Sequence, residues 1–305
     1  MPDPVLFAKA MTAAGVTCVV VFAACVGWKR PASAVRNTAA SVLGMIGALL
    51  VGGWILGLRP HWPPSDALDR LLFVVLPATM AIELLAAVPK MPRSAVWILR
   101  VCLAAGAGRI LLHGSGYLKG SVTGWTVEDI RVALVVSAVS LIVVWWLLVR
   151  LVERSPGVSV LLVLAQVIVT SGLALMLSGY ATGGQAALPP AAGLVAIAVA
   201  AWGLKTAPSG VGALGIGITS LFGILILGRF FGELSTGRAL VLLFAPLVCW
   251  ATELPALRAQ KPWVIGSVRL ALASIPLAAV LFLAQRDFAK NMESTTGGEY
   301  QSDEY

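Results

Sequence analysis

Ten apolar runs, each close to the ~20 residues a helix needs to cross a bilayer, fill most of this chain. They fall at 5–28, 38–58, 70–89, 94–112, 131–151, 158–178, 189–206, 210–228, 238–257 and 264–284. Runs of this length, joined by short turns, leave one class of fold. In lipid every backbone N–H and C=O must be satisfied within the protein, and a helix does this segment by segment. The expected fold is therefore all-α: a polytopic integral membrane bundle of about ten transmembrane helices. Composition agrees, because only 12% of residues are charged, about half the ~25% of a soluble domain. The 305 residues leave no room for a separate soluble domain.

The net charge of +8 is then a matter of topology and not of nucleic-acid binding. Lys and Arg gather on cytoplasmic turns. The turns after the odd-numbered runs hold Lys29, Arg30, Arg36, Lys90, Arg93, Arg150, Arg154, Lys205, Arg258 and Lys261 against a single acid, Glu153. The alternate turns hold Arg59, Arg70, Lys119, Arg131, Arg229 and Arg238 against Asp66, Asp69, Glu128, Asp129 and Glu233. The first set is assigned to the cytoplasm of a plasma or inner membrane. Both termini are then extracytoplasmic. In the first run the charges Lys29 and Arg30 follow the apolar stretch, so it is read as a retained span and not a cleaved signal. The acidic, Gly-containing stretch at 285–305 is expected to be a disordered tail.

Two charged hairpins stand out against this background. Glu83 to Arg100, ELLAAVPKMPRSAVWILR, places a Glu and an Arg at nearly equal distances from a basic turn containing Pro92. Glu253 to Arg269, ELPALRAQKPWVIGSVR, does the same about Pro262. The likeness extends outward: Leu71-Leu72-Phe73 matches Leu242-Leu243-Phe244, Pro77 matches Pro246, and Lys29 to Ser33 resembles Lys205 to Ser209. The spacing predicts a first four-helix repeat at 1–112, an outer loop and spacer hairpin at 113–188, and a second four-helix repeat at 189–284. An offset of six helices makes the repeat parallel, with its pseudo-two-fold along the membrane normal.

Ionisable residues within membrane spans are costly and mark candidate sites. Glu83, Arg100, Glu253 and Arg269 are the candidate substrate-binding residues, with Arg109 as a further anion contact open to the outside. The alternative is that each Glu–Arg pair only ties its hairpin together, and that Arg109 extends to the outer interface. Gln166 and Thr170 are read as helix–helix polar contacts. Gly210 to Gly215 spells GxGxxG, but no strand precedes it, so it is not a dinucleotide loop. Gly53 and Gly57 form a GxxxG, read as a packing motif. His61 and His113 lack the carboxylate spacing of a metal site. Cys18, Cys25, Cys102 and Cys249 lie within apolar runs and have no metal or disulfide pattern. No cofactor is implied, and no catalytic residue is assigned.

Three functions remain. The first is a secondary transporter or permease for a small charged or amphipathic molecule, bound between the repeats. The second is a non-catalytic membrane subunit or scaffold, packed against a membrane-protein partner or a second copy. An intramembrane enzyme is the weakest, because only Glu83 and Glu253 are intramembrane carboxylates and no His or Asp cluster accompanies them. In outline the chain is similar to the drug/metabolite transporter superfamily. That family's repeat is five plus five and inverted, so no residue role carries over to this four-two-four parallel pattern.

Overall fold

The computed structural model describes residues 4–27, 34–59, 61–120, 124–155, 157–204, 210–258 and 260–298. The turns Lys29 to Ser33 and Lys205 to Ser209, and residues 299–305 of the expected tail, lie outside the described residues.

The described chain is helical throughout, with no strand. The helices are α1 (Pro4–Gly27), α2 (Ala34–Ile55), α3 (Ala67–Arg70), α4 (Leu76–Ala86), α5 (Arg93–Leu111), α6 (Val127–Arg154), α7 (Ser159–Leu177), α8 (Ala181–Gln185), α9 (Leu188–Gly203), α10 (Gly210–Phe231), α11 (Thr236–Phe244), α12 (Pro255–Arg258) and α13 (Pro262–Gly298). Nine helical stretches of the described residues are long and apolar enough to cross a membrane. The chain is an integral, multi-pass membrane protein. The remaining expected span is also a continuous helical run, from α3 through a π-helical turn at Leu71–Val75 to the end of α4. It stands apart because Asp69, Arg70 and Glu83 all lie on it. α13 continues through residue 285, where the sequence predicts disorder to begin, and reaches Gly298.

Each irregular stretch has a proline behind it. Pro77 opens α4 directly after the π turn, and Pro246 opens a 3-10 run at Ala245–Glu253 that continues from α11. Proline has no N–H for the i→i−4 ladder and its ring crowds the preceding turn. Neighbouring helices absorb such breaks in a membrane through local π or 3-10 geometry.

α10 is the centre of the bundle. It packs against α2, α4, α5, α6, α7, α9 and α11, and 89% of an 18-residue apolar stretch within it is buried. A helix apolar on every side is the one a bundle encloses. Without water to drive association, membrane helices depend on close packing of small residues. A Cβ at Gly217 would meet Leu164 and Leu194, and one at Gly223 would meet Leu71.

The α1–α2 pair uses the same device at Gly44, whose missing side chain makes room for Cys18. The GxxxG at Gly53 and Gly57 works differently from the expectation. Gly57 has φ +69° and ends α2: the Leu58 amide donates to the Gly53 carbonyl at 2.9 Å and the Gly57 amide to Trp54 at 3.1 Å. This is a Schellman stop, which needs a left-handed residue.

On the face assigned to the outside, two aromatic residues between α5 and α6 pack onto the end of α10. Tyr117 packs edge-on against Trp125 and against Phe230 at the end of α10, and Trp125 lies tilted against the same Phe230. Thr126 and Asp129 form a reciprocal capping box that starts α6, satisfying amides the helix leaves unpaired. Burial raises the Tyr180 phenol above its usual range, and the carboxylates of Asp66 and Asp69 push it further.

Candidate functional site

The first hairpin closes on itself. Glu83 lies one turn before the end of α4, and Arg100 lies two turns into α5. The Arg100 Nε–H donates to one Glu83 carboxylate oxygen at 3.0 Å and an Nη2–H donates to the other at 2.9 Å. This is the bidentate geometry in which Arg and carboxylate bind most strongly. Glu83 is 1% exposed and Arg100 4%. Two indoles cover the guanidinium, Trp97 at 5.0 Å and Trp145 of α6 at 5.4 Å. α10 closes the other side. A Cβ at Gly212 would crowd Thr38, and one at Gly215 would overlap the Glu83 carboxylate. Gly212 and Gly215 of the GxGxxG string thus let the central helix approach a buried carboxylate. Gly215→Ala is expected to lower stability by about 1–3 kcal/mol, the usual cost of overpacking. Thermal melting in detergent checks this, with Gly203→Ala as a control because its Cβ position meets no described side chain or neighbouring helix within 4 Å.

The second hairpin is built differently. Arg269, 1% exposed, donates from Nε to the Thr252 hydroxyl at 2.8 Å and from Nη2 to Glu253 at 3.0 Å. It also reaches Ser159 from Nη1 at 2.9 Å and Ser155 from Nη2 at 3.0 Å. These serines bracket the turn between α6 and α7. The residue seventeen before Arg269 is Thr252, whereas the residue seventeen before Arg100 is Glu83. The 3-10 run accounts for the change, because its three residues per turn rotate positions differently from an α-helix. Glu253 is the last residue of that run, beside an extended Leu254, so its side chain keeps 14% exposure. The four charges therefore form two separate constellations, each held by an ion pair near 3 Å.

Arg109 belongs to neither. It lies nine residues beyond Arg100 on α5, ~13 Å along the helix axis. With Arg70 and His113 it lines an open cavity of about 430 Å³, whose other walls are Pro64, Val74, Gly106 and Ile110. Arg70 is fixed by two carbonyls, donating to Ser65 at 2.6 Å and to Leu111 at 3.4 Å. Sequence reasoning named Arg109 but missed Arg70 and His113 as its neighbours. Their only signal was that all three fall at the same predicted membrane face.

Gln166 makes the expected interhelical bond, donating to Ser274 of α13 at 2.7 Å. No group of three or more metal-ligating side chains occurs among the described residues. Compared with protein-family models, with curated proteins and with solved structures, the chain finds no match, so its function has to be read from this geometry.

Proposed function

We propose that the chain is a non-catalytic membrane subunit whose interior is a support and whose surface packs against another membrane protein. The observation that carries this is how fully the four intramembrane charges are occupied. A substrate at the first pair would have to displace a bidentate carboxylate. At the second it would compete with three hydroxyls and Glu253. The central helix adds no polar path, because the Thr219 and Ser220 hydroxyls bond to carbonyls of their own helix. None of the three described cavities is lined by Glu83, Arg100, Glu253 or Arg269.

The surface offered to a partner is a groove of about 450 Å³ between α1 and α9, floored by Thr12, Gly15, Ala192 and Ala196 and rimmed by valines. Its small floor and uncharged rim suit one occupant, a transmembrane helix of another chain. A photo-crosslinking residue placed at Val195 in the full-length protein, in its own membranes, tests this. The expected result is one stoichiometric adduct that Gly15→Leu abolishes, with none from a probe at Ile98, which is exposed elsewhere on α5.

The outer basic cavity favours a second reading, a permease for a charged or amphipathic solute. Uptake of an organic anion into proteoliposomes, lowered by Arg109→Gln and with no adduct at Val195, would move the assignment there.

A further inference from the structure

We infer that the cavity formed by Arg70, Arg109 and His113 is a binding site for an anionic phosphate ester at the predicted outer face of the membrane. The inference does not depend on whether the chain is a subunit or a permease. Two guanidinium groups and an imidazole converge from the end of α3, the last turns of α5 and the turn after it. None of the three makes an ion pair among the described residues. Among the described residues Arg109 and His113 have no side-chain hydrogen bond or ion pair, and Arg70 bonds only to carbonyls. Other arginines of this face are paired, Arg131 with Glu128 and Arg238 with Asp287.

The nearby acids, Asp66 and Asp69, form no ion pair with the cavity's arginines. The Asp69 carboxylate is committed to its helix start, accepting from the Ser65 amide and hydroxyl at 3.3 Å and from the Asp66 amide at 3.4 Å. The Ser65 and Leu111 carbonyls preorganise Arg70, whose guanidinium lies beside the Gly114 turn, 3.7 Å from that residue's Cβ position. Two guanidinium groups around one opening match phosphate oxygens, which arginine holds with paired N–H donors.

The rest of the lining decides the ligand's second property. Pro64, Val74, Gly106 and Ile110 are apolar, so a phosphate carrying a hydrocarbon chain satisfies both halves of the cavity. A lipid headgroup and a soluble phosphate share the charged half and differ in the apolar one.

The test uses the purified full chain in maltoside, titrated separately with dioctanoyl phosphatidylglycerol, inorganic phosphate and dioctanoylglycerol. Native mass spectrometry and thermal shift report binding. The expected result is saturable binding of the phosphatidylglycerol, weakened about tenfold or more by Arg109→Gln, as loss of a charged hydrogen bond implies, and no binding of dioctanoylglycerol. Arg109 has no hydrogen-bonded or ion-paired partner among the described residues, so this variant is expected to melt like the parent. An equal response to inorganic phosphate, equally lost in the variant, identifies a soluble phosphate ester as the source. A response to the lipid alone identifies a headgroup. Equal binding by parent, Arg109→Gln and the double variant Arg109→Gln/His113→Gln, or equal binding of dioctanoylglycerol, overturns the site.

Discussion

Arg100→Met is expected to destabilise the fold by about 3–5 kcal/mol, the cost of leaving one member of a buried ion pair alone. The Glu83 carboxylate would keep its burial and lose both donors. It has no route to water past α10, because the Gly215 backbone lies against it. Trp97 and Trp145 would also lose the cation they cover. The double variant Glu83→Met/Arg100→Met should recover most of the loss, because replacing both partners by apolar groups of similar volume is often near neutral. Reversible unfolding in mixed micelles, followed by tryptophan fluorescence, measures both. A single variant costing no more than an ordinary surface change, ~0.5 kcal/mol, would remove the pair as a strut and with it the main support for the subunit reading.

The spans were legible because a bilayer imposes length and polarity on every one of them. Even the irregular helix from Ala67 to Ala86 lies within a few residues of the expected 70–89. The Glu83–Arg100 contact was legible for a related reason: equal spacing about a turn brings two positions of an antiparallel pair to one level. The second hairpin shows where such reasoning stops. Glu253 and Glu83 match by letter, but Pro246 sets a 3-10 geometry that brings Thr252 to the position Glu83 occupies. Sequence spacing assumes one helical period, and a change of period is a property of the packed neighbours. Pro77 with Pro246, Glu83 with Thr252 and Arg100 with Arg269 share one offset, which supports our proposal of a repeat in these hairpins, while Leu71 with Leu242 and Lys29 with Lys205 need small gaps. The serines at 155 and 159 were invisible for another reason. A hydroxyl in apolar text most often bonds its own helix, as Ser171 does to Val167, and nothing local marks the two that reach across.

Arg269 separates the two hairpins experimentally. Glu253→Gln is expected to cost about 1 kcal/mol, the scale of one ordinary hydrogen bond, because Thr252, Ser155 and Ser159 still hold the guanidinium and the side chain at 253 retains some exposure. Glu83→Gln should cost about two to three times as much, since Arg100 has no other side-chain acceptor among the described residues and a buried unmatched charge carries a desolvation penalty. Arg269→Met should cost about 3 kcal/mol, and its effect should spread differently. Arg269 joins the second hairpin to the turn between α6 and α7, so amide hydrogen exchange near Ser155 and Ser159 should rise in that variant. Arg100→Met should leave exchange there at the parent level, because its partners lie on α4, α5 and the middle of α6. Equal costs for the two Gln variants, or unchanged exchange at the turn in Arg269→Met, would mean that the hydroxyls do not share the load. Glu253 would then be a full counterpart of Glu83, and the difference in helical period between the hairpins would have no energetic consequence.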